Sequence, residues 1–232
     1  MKTPRSILVL RFSSIGDIVL ATSPLRHLRS AFSAARIDFI TLTEYSPLLE
    51  GHPALDRLLN IDRSVGYWGL RGVGRRLNSN GYDLVVDLHN TLRAKIIRSQ
   101  MRSVPALVYK KPYWQRFLLF RLNRNSFPPD YNILKALNDV LNPIDRDITL
   151  VPPNELFISA IEIESARIFL HENNILKPYV CMIPGAAWPQ KRWMPDRYAE
   201  IAQNIIDTFA LDVVLLGTSQ DIICDEIARY CP

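Results

Sequence analysis

Apolar residues in this chain concentrate in short runs separated by stretches of helical spacing. The runs at 6–12, 36–42, 57–61, 83–88, 106–109, 179–183 and 212–216 each predict a short buried strand. Helical spacing fills 18–32, 73–79, 92–101, 113–123, 131–141, 159–173, 196–209 and 221–229. Strands alternating with helices of this length predict parallel α/β units. The stretch from 143 to 153, ending in Pro152-Pro153, predicts a connection between two domains, 1–150 and 151–232.

Two strand ends carry candidate chemistry. The first run passes into Ser13-Ser14-Ile15-Gly16-Asp17 and then into a helix. Such a turn points backbone N–H groups at one spot, suited to an anion or a polar sugar, and Asp17 in the first helical turn brings a carboxylate to the same spot. The alternative is that Asp17 merely favours the helix N-terminus while the serines cap it. The run at 179–183 is followed by Pro184-Gly185-Ala186-Ala187-Trp188-Pro189-Gln190-Lys191, again a small-residue turn with a lysine before a helix. A third strand end, Leu216-Gly217-Thr218-Ser219-Gln220-Asp221, offers an acid that either hydrogen-bonds ribose hydroxyls or starts a helix.

Composition narrows the class. A chain of 232 residues, 48% hydrophobic, buries a real core. No apolar run approaches the roughly 20 residues needed to span a bilayer. Residues 1–20 lack a signal-peptide cleavage site, and Asp17 interrupts their apolar stretch. The three cysteines form no CxxC, which suits a reducing cytoplasm.

The net charge of +5 hides a division: residues 1–150 hold 22 Lys/Arg against 12 Asp/Glu, whereas 151–232 hold 6 against 11. Between Asp87 and Asp130 there is no acid, but nine bases: Arg93, Lys95, Arg98, Arg102, Lys110, Lys111, Arg116, Arg121 and Arg124. Tyr109, Tyr113, Trp114, Phe117 and Phe120 are interleaved with them. A phosphorylated glycolipid, nucleic acid or an anionic membrane surface suits this segment; so does a solvated face whose aromatics pack inward.

The segments RFSSIGDIVLATSPLRHLR and PGAAWPQKRWMPDRYAEIA together resemble glycosyltransferase family 9, the bacterial lipopolysaccharide heptosyltransferases, and Asp87-Leu88-His89-Asn90-Thr91-Leu92-Arg93 resembles a third family segment. The resemblance runs in order along essentially the whole chain. It implies a GT-B architecture of two Rossmann-like domains with parallel sheets. Against that pattern the second domain is expected to be either cut short or incomplete in its donor site, because only one βαβ step follows the Gly185 turn and the family's later Asp-Thr-Gly segment is missing. Little transfer is therefore expected from the isolated chain.

By the same resemblance the activity is metal-independent, inverting transfer of a heptose from ADP-heptose to the inner core or lipid A of lipopolysaccharide. No cofactor and no nucleic acid take part, and the chain would be cytoplasmic with peripheral contact at the inner membrane. Asp17 would be the catalytic base. Donor-binding positions would be Ser14, Gly16, Gly185, Ala186, Ala187, Lys191 and Asp221; at Ala186 and Ala187 the family often has hydroxyl residues, so only backbone contacts carry over. Acceptor-binding positions would be His89, Arg93, Lys95, Arg116 and Arg121. Two alternatives stay open: a family member with another sugar or acceptor, and a non-catalytic remnant that binds anionic glycolipid.

Other patterns carry less. Asp145-Arg146-Asp147 lies in the proline-flanked connection, and the glycines of Gly69-Leu70-Arg71-Gly72-Val73-Gly74 stand in the wrong order for a dinucleotide fingerprint. There is no GxxxxGK[ST], and the four histidines are scattered without ligand spacing.

Overall fold

The computed structural model describes residues 3–145, 151–186, 188–219 and 221–231. The chain divides into two compact units, residues 1–158 and 159–232.

In the first unit β1 (Ser6–Leu10), β2 (Arg36–Leu42), β3 (Arg57–Ile61), β4 (Leu84–Asp87) and β5 (Ala106–Val108) form one parallel sheet in the order β3-β2-β1-β4-β5. Central β1 is paired on both sides, Leu8 lying opposite Asp38 and Val85. Because successive side chains point to opposite faces, the apolar run of β1 feeds two cores. Ile7 and Val9 pack with Ile18, Ala21, Leu25 and Leu28 of α1 (Ile15–Ala31). Leu8 and Leu10 pack on the opposite face with Leu70, Val73 and Leu77 of α2 (Tyr67–Ser79) and with Ala94 and Ile97 of α3 (Leu92–Arg98). Two further helices, α4 (Tyr113–Leu122) and α5 (Ile133–Asn138), follow β5.

Strands β2 and β3 end where their runs do, whereas β1, β4 and β5 end one or two residues earlier, so Phe12, Leu88 and Tyr109 lie past the ladder and lead the chain into the loops. Helix α2 begins at Tyr67 rather than at 73, running through the glycines of 69–74. Gly74 has a packing reason: a Cβ there would meet the Ile97 carbonyl oxygen at 2.7 Å, so its absence lets α2 and α3 approach closely.

The first unit also extends past the expected boundary at 150. Residues 152–155 lie along α1, where Ser23 Oγ donates to the Pro152 carbonyl, Glu155 N–H donates to Thr22 Oγ1 (3.0 Å), and Arg26 pairs with Glu155 (3.0 Å).

The second unit holds α6 (Ala160–Glu172), β6 (Tyr179–Met182), α7 (Pro195–Phe209), β7 (Asp212–Leu215) and α8 (Ile223–Tyr230). Strands β6 and β7 pair in parallel, Val180 opposite Val213. Ser159 and Glu162 cap α6 reciprocally. The unit's buried cluster is Ala199, Ile223 and Ile227, with Tyr198, Leu215 and Cys231 packed against it.

Candidate functional site

The carboxyl ends of β1 and β4 meet at the first unit's candidate site. Arg11 is the one charged residue in the run 6–12, and only 6% of it is exposed. A buried guanidinium needs its donors satisfied. Its Nε donates to the Ser13 carbonyl (3.0 Å), Nη1 to the Leu88 carbonyl (2.5 Å), and Nη2 lies 2.7 Å from Asp17 Oδ2. Asp17 Oδ2 also accepts from the N–H and the hydroxyl of Ser14, each at 3.2 Å. Partial burial raises the Asp17 pKa, but Arg11 and the Ser14 donors outweigh it and hold the carboxyl below its ordinary value. The carboxylate is ionised at neutral pH with 44% of its side chain exposed.

His89 stands beside this pair. Its Nδ1 accepts the Phe12 N–H (3.2 Å), and burial, reinforced by Arg11 and Lys111, pushes its pKa down to about 4. The ring is therefore neutral at pH 7 with its proton on Nε2, a hydrogen-bond donor. The turn that carries it is pinned by fully buried Asp87, whose Oδ1 accepts from His89 N–H (2.9 Å) and Asn90 N–H (2.7 Å) while Oδ2 lies 2.8 Å from Arg98 Nε.

Arg11, Asp17, His89, Tyr109, Lys111 and Arg116 line a small cavity of about 120 Å³. Burial and neighbouring Arg11 lower the Lys111 pKa. Among the described residues the chemistry here is a carboxylate oxygen without a partner, a neutral imidazole N–H and three cations around one hollow, fitted to a polar, anionic ligand. A wider pocket of about 480 Å³ also reaches His89 and includes Phe12, Ser13, Arg63, Tyr67 and Arg93. There the Arg93 guanidinium lies 6.0 Å from the Phe12 ring centroid and donates to the Arg63 carbonyl (2.9 Å).

Of the proposed acceptor positions, the structure brings His89, Arg93 and Arg116 to these hollows. Lys95 and Arg121 are exposed and line neither. The basic segment is not one uniform face: Arg98 is drawn in by buried Asp87, and Tyr109 is a core residue, 4% exposed. Ser14 and Gly16 are exposed at the α1 N-terminus, and a Cβ on Gly16 would meet nothing.

The second unit has its own turn. A Cβ on Gly185 would lie 2.6 Å from the Asp221 carboxylate, so these two positions, 36 residues apart in sequence, are in contact. Asp221 Oδ2 accepts from Thr218 N–H and Oγ1, both at 2.8 Å, which lowers its pKa. Arg192 Nε donates to the Ala186 carbonyl (2.9 Å), and Lys191 is exposed in a short 3-10 turn, Pro189–Lys191. Ala187 lies outside the described residues, as do Arg146 and Asp147 of the D-x-D.

The family model described as glycosyltransferase family 9 (heptosyltransferase) matches residues 70–232. The chain belongs to glycosyltransferase family 9. Among curated relatives, lipooligosaccharide heptosyltransferase 2 of Haemophilus influenzae is 26% identical over 98% of this chain and 68% of its own length. Lipopolysaccharide heptosyltransferase 2 of Salmonella typhimurium is 26% identical over 93% and 64%. Among solved structures, a family 9 glycosyl transferase from Veillonella parvula aligns with a TM-score of 0.80 at 20% identity over 99% of this chain and 67% of that one. ADP-heptose lps heptosyltransferase II of E. coli aligns at 0.74 and 21%, over 97% and 68%. These likenesses establish the GT-B fold with parallel sheets, and the chain spans about two thirds of the length of these relatives.

Sequence reasoning missed Arg11 of this candidate site and named Tyr109 and Lys111 only as members of the basic, aromatic segment. Arg11 did leave a signal, since a lone arginine inside an apolar strand must find partners at the strand's end. Tyr109 and Lys111 stood out only through the acid-free segment, and it is the β4–β5 pairing that carries them to β1.

Proposed function

We propose that the chain serves transfer of a heptose from ADP-heptose to the inner core or lipid A of lipopolysaccharide, with inversion and without a metal. The observation that carries the reading is the ionised, half-exposed Asp17 in a cation-lined hollow beside a neutral imidazole N–H, in a member of family 9. The acceptor hydroxyl oxygen forms the new bond to the anomeric carbon, the bond to the diphosphate breaks, and ADP leaves with that electron pair. Asp17 receives the hydroxyl proton. With its pKa held low it is a weak base, so the proton transfers late, when the oxygen has become acidic. His89, Arg93 and Arg116 hold the anionic acceptor. Lys191 and the backbone of the Gly185–Ala186–Ala187 turn would neutralise the leaving diphosphate.

Calorimetry with ADP and ADP-heptose on the 232-residue chain, with a transfer assay alongside, tests this. Donor binding that weakens in Lys191→Ala supports it. Wherever transfer is measurable, Asp17→Asn should leave donor binding unchanged and lower turnover by about 10²–10⁴-fold. A chain that binds neither nucleotide while still binding anionic glycolipid would replace this reading with that of a non-catalytic glycolipid binder.

A further inference from the structure

Helix α4 presents its aromatic side to water. Tyr113, Phe117 and Phe120 recur at i, i+4 and i+7, which places them on one face. They are 63%, 48% and 79% exposed, and neighbouring Trp114, 66% exposed, stacks on Phe117 at 5.5 Å between ring centroids. No residue of the helix is buried; its opposite side, Leu118 and Leu119, is only half-covered. An aromatic ridge of this size on one short helix is the kind of exposed apolar patch that marks a contact surface. At 100° per residue Arg116 falls on one flank of the ridge and Arg121 on the other, both exposed.

We propose that α4 is an interfacial helix that lies in the surface of an anionic bilayer, its aromatic ridge among the upper acyl chains and its flanking arginines on the lipid phosphates. Charge complementarity selects this occupant. Arg124 follows the helix, Lys110 and Lys111 precede it, and no acid lies between Asp87 and Asp130 to offset them. A basic helix with aromatics on one face binds an interface through buried apolar area plus attraction to anionic headgroups. A two-fold contact with a second copy would instead set the same arginines against each other. Arg116 also lines the cavity beside Asp17, so the docked helix brings that cavity to the membrane surface. The docking stands without the transferase reading; joined to it, the helix delivers the chain to a lipid-anchored acceptor.

The test is co-sedimentation of the 232-residue chain with vesicles of phosphatidylcholine alone or with a third phosphatidylglycerol, lacking glycolipid and donor. Binding should require the anionic lipid and weaken as salt is added. Phe117→Ser with Phe120→Ser should reduce partitioning by about tenfold or more, and Arg121→Glu with Arg124→Glu by at least as much. Phe209→Ser, removing a similarly exposed ring in the second unit, should leave it unchanged. Circular dichroism confirms that the variants fold. Three results would overturn the proposal: no binding to anionic vesicles, equal binding by the Phe117/Phe120 variant, or a parent dimer that the same variant turns monomeric without any vesicle binding. Because neither donor nor acceptor is present, failure here leaves the transferase reading standing, and loss of transfer activity leaves vesicle binding untouched.

Discussion

His89 makes the first unit sensitive to acid in a way that can be measured. In the unfolded chain its pKa is about 6.5, and in the folded site it is about 4, because burial, Arg11 and Lys111 all oppose a charged ring. Between these values the unfolded chain binds the proton more tightly. The stability associated with the neutral ring is therefore complete above pH 6.5 and is lost as the pH falls towards 4. For a single group shifted this far, the loss between pH 7 and pH 5 is about 2 kcal/mol. The comparison variant is His89→Asn, whose side-chain oxygen can still accept the Phe12 N–H but which does not titrate.

It also loses ring contact with Phe12, so the pH dependence, rather than the absolute stability, is the quantity to compare. Urea unfolding at pH 7 and pH 5, followed by hydrogen exchange in peptides spanning β1 and β4, reports this unit alone. The parent should lose about 2 kcal/mol more than His89→Asn over that interval. Equal losses in the two proteins, or an NMR titration of His89 centred near 6.5, would refute the reasoning.

Arg98→Met should destabilise the first unit by about 3–5 kcal/mol in urea unfolding, because it leaves the fully buried Asp87 carboxylate without its cation. Gly74→Ala should cost about 1–3 kcal/mol in the same assay, since its methyl group would meet the Ile97 backbone oxygen, which yields only if α2 and α3 separate. In the second unit, Gly185→Ala should lower the melting temperature by crowding Asp221, and adding Asp221→Ala should restore part of it. Strictly additive effects of the last two substitutions would show that they are not in contact.

The strands and most helices were legible in the amino-acid order because burial on both faces of a parallel sheet demands continuous apolar runs, and amphipathic helices repeat every 3.6 residues. The turn at 13–17 was legible for a similar local reason: small residues and an acid at a strand-to-helix junction restrict what the backbone there can do. Periodicity does not record which strands are neighbours. The order β3-β2-β1-β4-β5 sets the ends of β1 and β4 side by side, and that adjacency puts Arg11 on the Leu88 carbonyl and His89 against Phe12. The same long-range packing withdrew Arg98 from the basic segment to pair with Asp87, sank Tyr109 into the core, and left the aromatics of α4 in water. Local pattern determined where a charge or a ring occurs along the chain. Tertiary structure decided whether it is buried, paired or free, because burial and electrostatic partners depend on residues distant in sequence.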